Sequence, residues 1–267
     1  MCSYFGYSRQ AWYWRRNDDQ KVAEQHEIIV DEVRKLRRDH PRMGGKKLYH
    51  LLNDSIHRLA PALGRDKFFD LLRSHDLLVR RRRKYVVTTQ SFQRFFLYKD
   101  HYNGISWSRS HQAWVSDITY IRVGEGFMYL FLITDAFSRK IVGWQLAHTL
   151  ESIWALKALE MAVKQCPDTE KLVHHSDRGF QYCSHQYIKL LNKQKIIPSM
   201  GEAGYCYDNA MAERVNGILK DEYLLDSTFN KPEDALGAVK QAIGKYNEKR
   251  PHWSLGLQIP ARVHVAA

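Results

Sequence analysis

The feature that most constrains this chain is a run of about forty residues beginning at position 111. WVSDITYIRV, FMYLFLITDAF and IVGWQLAHTL follow one another, divided only by GEG and SRK. β-Branched and aromatic residues fill the three runs, and Gly and Ser fill the breaks. The pattern predicts three consecutive strands joined by two short turns. WVSDITYI is apolar on both faces except at Asp117, so it should be a central strand covered on both sides. Beyond it the pattern alternates. A helix is expected over 151–165, with Ile153, Leu156, Leu159 and Val163 on one side. KLVHHS forms a short strand, 184–194 a helix, IIPSM a strand, and 207–224 and 232–247 two further helices. Three sequential strands followed by alternating helix and strand specify a mixed α/β sheet.

The part before residue 111 differs in kind. HEIIVDEVRKLRRD, residues 26–39, sets Ile29, Val33 and Leu36 at helical spacing, and HPRMGG breaks it. Residues 46–53 predict a second helix with Leu48, Leu51 and Leu52 inward. Residues 65–75 predict a third, with Phe68, Leu71 and Leu72 inward. Three short helices with a basic outer face suggest a small all-α, helix-turn-helix-like domain, though an ordinary helical bundle has the same pattern. The expected organisation is a basic, aromatic segment over 1–25, the helical domain over 26–85, a linker over 86–110 and the α/β domain over 111–267.

Charge separates the two regions. The net charge is +12. Residues 1–104 hold 22 of the 41 cations and 12 of the 29 acids, so nearly all the excess lies there. A polyanion partner is implied, and nucleic acid suits it because each phosphate contact releases counterions. Arg65, Lys67 and Arg73 would project toward DNA, and Arg80, Arg81, Arg82, Arg83 and Lys84 form a phosphate-binding arm or a solvated run. Trp12 and Trp14, beside Arg15 and Arg16, could stack on bases or simply pack. No apolar run reaches the roughly 20 residues of a membrane helix. The N-terminus lacks the apolar core of a signal peptide. Four scattered cysteines, with no CxxC pair, fit a reducing cytoplasm.

Three carboxylates carry the chemistry. Asp117 interrupts an apolar strand, which is costly unless the carboxylate is paired or bound to metal. Asp177 follows the short strand in HHSDRGFQY, beside Gly179, which we expect to let the chain turn away. Glu213 lies in DNAMAERVNGILKDEY. On that helix Met211, Val215, Ile218 and Leu219 share one face, and Asn209, Glu213, Asn216 and Lys220 another. Two aspartates on neighbouring strands suit a hard divalent cation such as Mg²⁺. Each acid alone has an ordinary structural explanation: a hydrogen-bonded core aspartate, a turn cap, a surface glutamate. Their combination is what points to a site.

At these residues the sequence resembles the retroviral-integrase-like DDE transposases, and most closely the catalytic, second-reading-frame protein of the IS-three family of bacterial insertion sequences. WVSDITYI, FLITDAFSRKIVGW, HHSDRGFQYCS, SMGEAGYCYDNAMAERVNGILKDEY and YNEKRPHWSLGLQIPA carry the resemblance, over about 111–263. It implies an RNase H-like core (the integrase catalytic core) with Asp117, Asp177 and Glu213 as catalytic residues and metal ligands, the last two with 35 residues between them. Val215 departs from the bulky aromatic usual two residues after the glutamate, which should alter packing. The implied reaction is phosphoryl transfer at DNA, cutting element ends and joining them to a target. Two Mg²⁺ ions would serve it, with Mn²⁺ able to substitute. Arg178, Asn209 and Lys220 would contact DNA. Terminal inverted repeats, target DNA, a homo-multimer and an upstream-frame partner or frameshift fusion are the implied partners. Of the other residues in the matching words, Asp135 should brace Arg139, His174 and His175 could position phosphate or pack, and Tyr246, Asn247, Arg250, Pro251 and His252 should anchor the last helix. Two rivals remain open: a DNA-binding regulator with an inactive core, and a nuclease that cuts without joining.

Overall fold

The computed structural model describes residues 8–80, 98–201 and 210–265. The chain divides into two compact units, 1–84 and 85–267.

The first unit is helical: α1 (Arg9–Asp39), α2 (Gly45–Leu51), α3 (Asn53–Leu59) and α4 (Arg65–Ser74). Its core gathers Ile29, Val33, Met43, Leu48, Ile56, Leu63, Phe68 and Leu72. Two expectations change here. The first helix begins at Arg9 rather than 26, so the basic, aromatic segment is helical over most of its length. Side chains 13–24 are exposed and show no apolar period, but the stretch has no Gly or Pro to stop a helix. The bundle also has four helices among the described residues, not three. α3 offers one fully buried side chain, Ile56, which is too little for periodicity to reveal.

The second unit is built on a five-stranded sheet in the order β3-β2-β1-β4-β5. β1 (Ala113–Val123), β2 (Gly126–Asp135) and β3 (Ile141–Ala147) form an antiparallel meander. β4 (Val173–Ser176) pairs parallel with β1, and β5 (Ile197–Met200) parallel with β4. The helices are α5 (Ser152–Gln165), α6 (Phe180–Cys183), α7 (His185–Lys193), α8 (Ala210–Glu222), α9 (Pro232–Lys249) and α10 (Pro260–Val265). β1 is central, as its two-sided apolar pattern requires.

Strand alternation divides the core. Leu130 and Leu132 pack with Val215, Ile218 and Leu219 of α8 and Val239, Ile243 and Tyr246 of α9. Phe131 and Ile133 pack on the other face with α5 and α7. The period of two sends successive β2 side chains to opposite layers, so β2 is apolar from Phe127 to Ile133. α5 meets the sheet through a face shifted from the expected one: Leu159 is buried and Leu156 and Val163 partly buried against the core, but alanines make most of the contact. Ala155, Ala158, Leu159 and Ala162 are buried, whereas Ile153 is 37% exposed. The reason is close approach: a Cβ on Gly143 would stand 2.2 Å from the Ala158 carbonyl oxygen, so β3 and α5 touch nearly backbone to backbone. Large side chains cannot line such a contact.

Residues 98–110, expected to be linker, are packed on the sheet. Tyr102 stacks on His175 with ring centroids 4.7 Å apart, and the His101 amide donates to Ser199 Oγ at 2.8 Å. Aromatics without period hid this, because the contacts are to a distant strand rather than within the segment. At the other end the expected anchor forms. Tyr246 donates to the Arg139 carbonyl at 2.9 Å, and Asn247 grips both the amide and the carbonyl of Ile141 at 2.9 Å. The Arg250 guanidinium donates twice to Glu222, at 2.8 Å each.

Candidate active site

The parallel pairing of β1 with β4 positions the two aspartates. Ala113, Trp114 and Val115 stand opposite Val173, His174 and His175. Carrying that register two residues further sets Asp177 level with Asp117, just past the end of β4. The carboxylates feel each other. Asp117 is pushed up to about 7, first by burial and then by the negative charge of Asp177, with a smaller push from Glu213. The Ile118 amide and the Asn216 side chain pull the other way. Asp177 lies on the solvent-open rim, yet surrounding protein still raises its pKa, opposed by the Gly179 amide. Like charges brought together at a sheet end create a demand for a cation.

α8 supplies the third acid. Its apolar side is buried on the sheet, and Glu213 is exposed in its first turn. Among the described residues, no three His, Cys, Asp or Glu side chains gather closely enough to hold a metal ion. Asn216, one turn after Glu213, is buried and donates Nδ2 to Asp117 Oδ2 at 2.6 Å. Its Oδ1 is buried and has no hydrogen-bond partner among the described residues. An amide oxygen left without a donor beside a carboxylate is a costly arrangement to retain without use. The sequence placed Asn216 on the correct face but gave no sign that it grips Asp117. Lys220, a further turn on, is half-buried; burial pushes its pKa down, against the pull of Asp226 and Asp117.

Two features under Asp177 correct or extend the sequence reading. Gly179 does not turn the chain through a left-handed conformation: its φ is −60°. It is required for space, because a Cβ would lie 2.9 Å from Asp177 Oδ1 and 3.0 Å from Gln181 Oε1. Its amide donates to Asp177 Oδ1 at 3.0 Å. Tyr182 of α6 lies buried near both aspartates, whose charges, after burial, hold its phenol well above the usual range. Nothing in the local sequence marks that residue. Gly179→Ala should therefore leave the melting temperature nearly unchanged, because alanine tolerates this backbone, while displacing the Asp177 carboxylate. We expect DNA cleavage to fall about 10- to 100-fold. A lowered melting temperature with normal cleavage would refute this role.

The remaining sites fall elsewhere. His174 and His175 are buried packing residues. His174 Nε2 pairs with Ser116 Oγ at 2.7 Å and the Tyr187 hydroxyl at 3.0 Å, and burial pushes it down to about 3. The Asp135 side chain does not brace Arg139. It caps its own turn, accepting from the Ser138 amide and hydroxyl at 2.8 Å each and from the His111 amide at 2.8 Å. Arg178 donates to the Gly201 carbonyl at 2.8 Å. In the helical unit Arg65 pairs with its neighbour Asp66 at 2.9 Å, Arg73 pairs with Asp70, and Lys67 is exposed. Arg80 is exposed, and its carbonyl accepts from Arg42 at 2.7 Å. Arg81, Arg82, Arg83, Lys84 and Asn209 lie outside the described residues.

Comparison with known proteins gives the same arrangement a context. The integrase core domain family matches residues 108–206, and a second integrase core domain family matches 194–260. The insertion element IS600 uncharacterized 31 kDa protein of Shigella sonnei is 31% identical over 98% of this chain and 96% of its own length. Transposase InsF for insertion sequence IS3A of Escherichia coli K12 is 36% identical over 56% of this chain, a match spanning 53% of that transposase. The simian T-cell lymphotropic virus intasome superposes with a TM-score of 0.51 at 19% identity, over 86% of this chain and 73% of the viral one. That likeness concerns the fold.

Proposed function

Because the chain belongs to the IS-three family of insertion-sequence transposases, which carry an integrase-type catalytic core, we propose that it cuts DNA at the ends of an insertion sequence and joins them to a target. The observation that supports this reading is the levelling of Asp117 with Asp177 on adjacent parallel strands, with the charge of Glu213 on α8 felt more weakly at Asp117. The donor set suits a hard divalent cation. The charge of Asp177 raises the proton affinity of Asp117, and among the described residues the Asn216 amide oxygen beside Asp117 lacks a donor. Asp117, Asp177 and Glu213 would hold Mg²⁺, with Mn²⁺ as a substitute and two ions in the working site. When bound, the metal activates the attacking oxygen and stabilises the leaving one.

The protein's own share is positioning. Asn216 orients Asp117, and the Gly179 amide orients Asp177. No serine or tyrosine nucleophile is required. Water attacks in the cleavage step and a DNA 3′-hydroxyl in the joining step. Lys220 on the face of α8 that bears Glu213, Asn209 just before that helix and Arg178 beside Asp177 would meet DNA phosphates. Arg65, Lys67, Arg73 and the 80–84 arm would do so from the helical unit. The active form would be a homo-multimer on the terminal inverted repeats, with or without a fused upstream-frame protein.

The test uses the full chain, labelled DNA carrying the element ends, and Mg²⁺ or Mn²⁺, beside Asp177→Asn. Cleaved and joined products that disappear in the variant are expected. Nicks without joined products would leave a nuclease; binding without any cut, even with the upstream protein added, would sink the catalytic reading.

A further inference from the structure

A second feature lies on the other side of α8. Ala210, Met211, Arg214, Val215 and Ile218 recur every three or four residues along that helix, and together they form one wall of a cleft of about 430 Å³. Glu213, Asn216 and Lys220 lie on the neighbouring face. The cleft therefore shares a helix with the candidate active site without sharing its residues. Its opposite wall comes from Tyr102, from Arg139 in the turn between β2 and β3, and from the 250–254 segment that follows α9.

The lining is chemically one-sided. Among the described residues it contains three arginines, Arg139, Arg214 and Arg250, and no acid. Arg250 is neutralised by its twin bonds to Glu222. Among the described residues no acid pairs with Arg139 or Arg214: Arg139 contacts Met211 Sδ, Ser254 Oγ and the Tyr102 hydroxyl, and Arg214 is exposed on the helix. Arg139 is also held in place by its turn. Its φ is +63°, in the left-handed region that arginine rarely adopts, and its carbonyl is fixed by the Tyr246 hydroxyl. Strain of this kind persists where surrounding structure enforces it, and it concentrates at functional sites.

The third observation is Trp253. Its side chain is 53% exposed at the mouth of the cleft, on a three-residue 3₁₀ turn. That turn is rigid: the His252 amide donates to the Gln258 carbonyl at 3.0 Å and the Leu257 amide to His252 at 2.9 Å. The indole is thus presented to solvent by a tied loop rather than left there by slack. A flat aromatic surface beside two unneutralised guanidinium groups recognises a base and its phosphates, and the volume suits one nucleotide.

We propose that this cleft binds an unpaired nucleotide of a DNA strand, with its base stacked on Trp253 and its phosphates held by Arg139 and Arg214. The proposal rests on the reading that the chain acts on DNA, and it adds a holding point for a strand that leaves the carboxylate site across α8. Duplex DNA cannot stack a base there without unpairing it, so the preference is for single-stranded ends.

The test is fluorescence anisotropy of the full chain with a labelled single-stranded oligonucleotide and with the same sequence as duplex, for the wild type, Trp253→Ala and Arg214→Ala. Both side chains are exposed, and matched melting temperatures confirm that each variant folds. Trp253→Ala should weaken single-strand binding about tenfold and duplex binding much less. Arg214→Ala should reduce the slope of log affinity against log salt by about 0.7 on single strands. If both variants bind the single strand with wild-type affinity and salt slope, the cleft proposal is wrong while the reading that the protein acts on DNA stands. If the wild type binds neither form of DNA, both fail together.

Discussion

Asp117→Asn should abolish cleavage and joining and, in the metal-free protein, raise stability at pH 7. The two effects share one cause. Asp117 is raised from 3.8 to about 7 by burial and by Asp177. Between those values the folded protein keeps a proton that the unfolded chain releases. Stability conferred by the neutral carboxyl is therefore present at low pH and declines as pH rises, with the loss complete above about 7. Asparagine has no proton to lose; its Oδ1 can accept from the Ile118 amide, and its Nδ2 can donate to Asn216 Oδ1 once that amide turns over. At about 1.4 kcal/mol per pKa step, and discounting for the partial exposure of Asp117, the variant should gain roughly 2–4 kcal/mol at neutral pH and almost nothing at pH 4. Buried His174, held near 3, acts in the opposite sense, costing stability as pH falls below its ordinary value of 6.5. The informative quantity is thus the difference between variant and wild type by urea unfolding across pH 4–8. Activity should fall on the order of a thousandfold or more, because one carboxylate of the proposed metal-binding set is lost. A variant less stable than the wild type at pH 7 would contradict the electrostatic account, and one that still joins DNA would contradict the catalytic one.

The second large effect is structural. Glu222→Ala should destabilise the protein by about 3–5 kcal/mol, since it strands a buried guanidinium. Arg250 is 1% exposed, and the Glu222 carboxylate takes two of its donors at 2.8 Å. The pair joins the last residue of α8 to the residue after α9, and so fixes the helix that carries Glu213. Urea unfolding measures the loss. The double variant Glu222→Ala/Arg250→Met should recover much of it, because replacing both partners removes the unpaired charge. If Glu222→Ala costs less than about 1 kcal/mol, the pair behaves as a surface contact and does not set α8 in place.

Much of this was legible in the sequence, and the reason differs by element. The meander over 113–147 declared itself because β2 is apolar on both faces, a pattern that only a strand buried between two helical layers sustains. Asp117 stood out for the converse reason, as a charge in an otherwise apolar strand. α5 misled because large aliphatics draw attention, while the contact with β3 is made by alanines opposite Gly143. α1 misled because a helix outside its core contacts shows no period. The words around Asp177 suggested a glycine needed for turning, whereas the space beside a carboxylate oxygen is what requires it.

The sequence by itself determined the alternation of strands and helices, the family, and which three acids to suspect, since all of these reside in composition, period and flanking words along the chain. Only the tertiary structure decided that Asn216 grips Asp117, that Tyr182 lies by both aspartates, that Arg250 is stranded without Glu222, and that Arg139, Arg214 and Trp253 surround one cleft. Apart from Tyr182 and Asp177, those residues are separated by tens of positions. Their meeting depends on strand register and helix packing, which local periodicity does not encode.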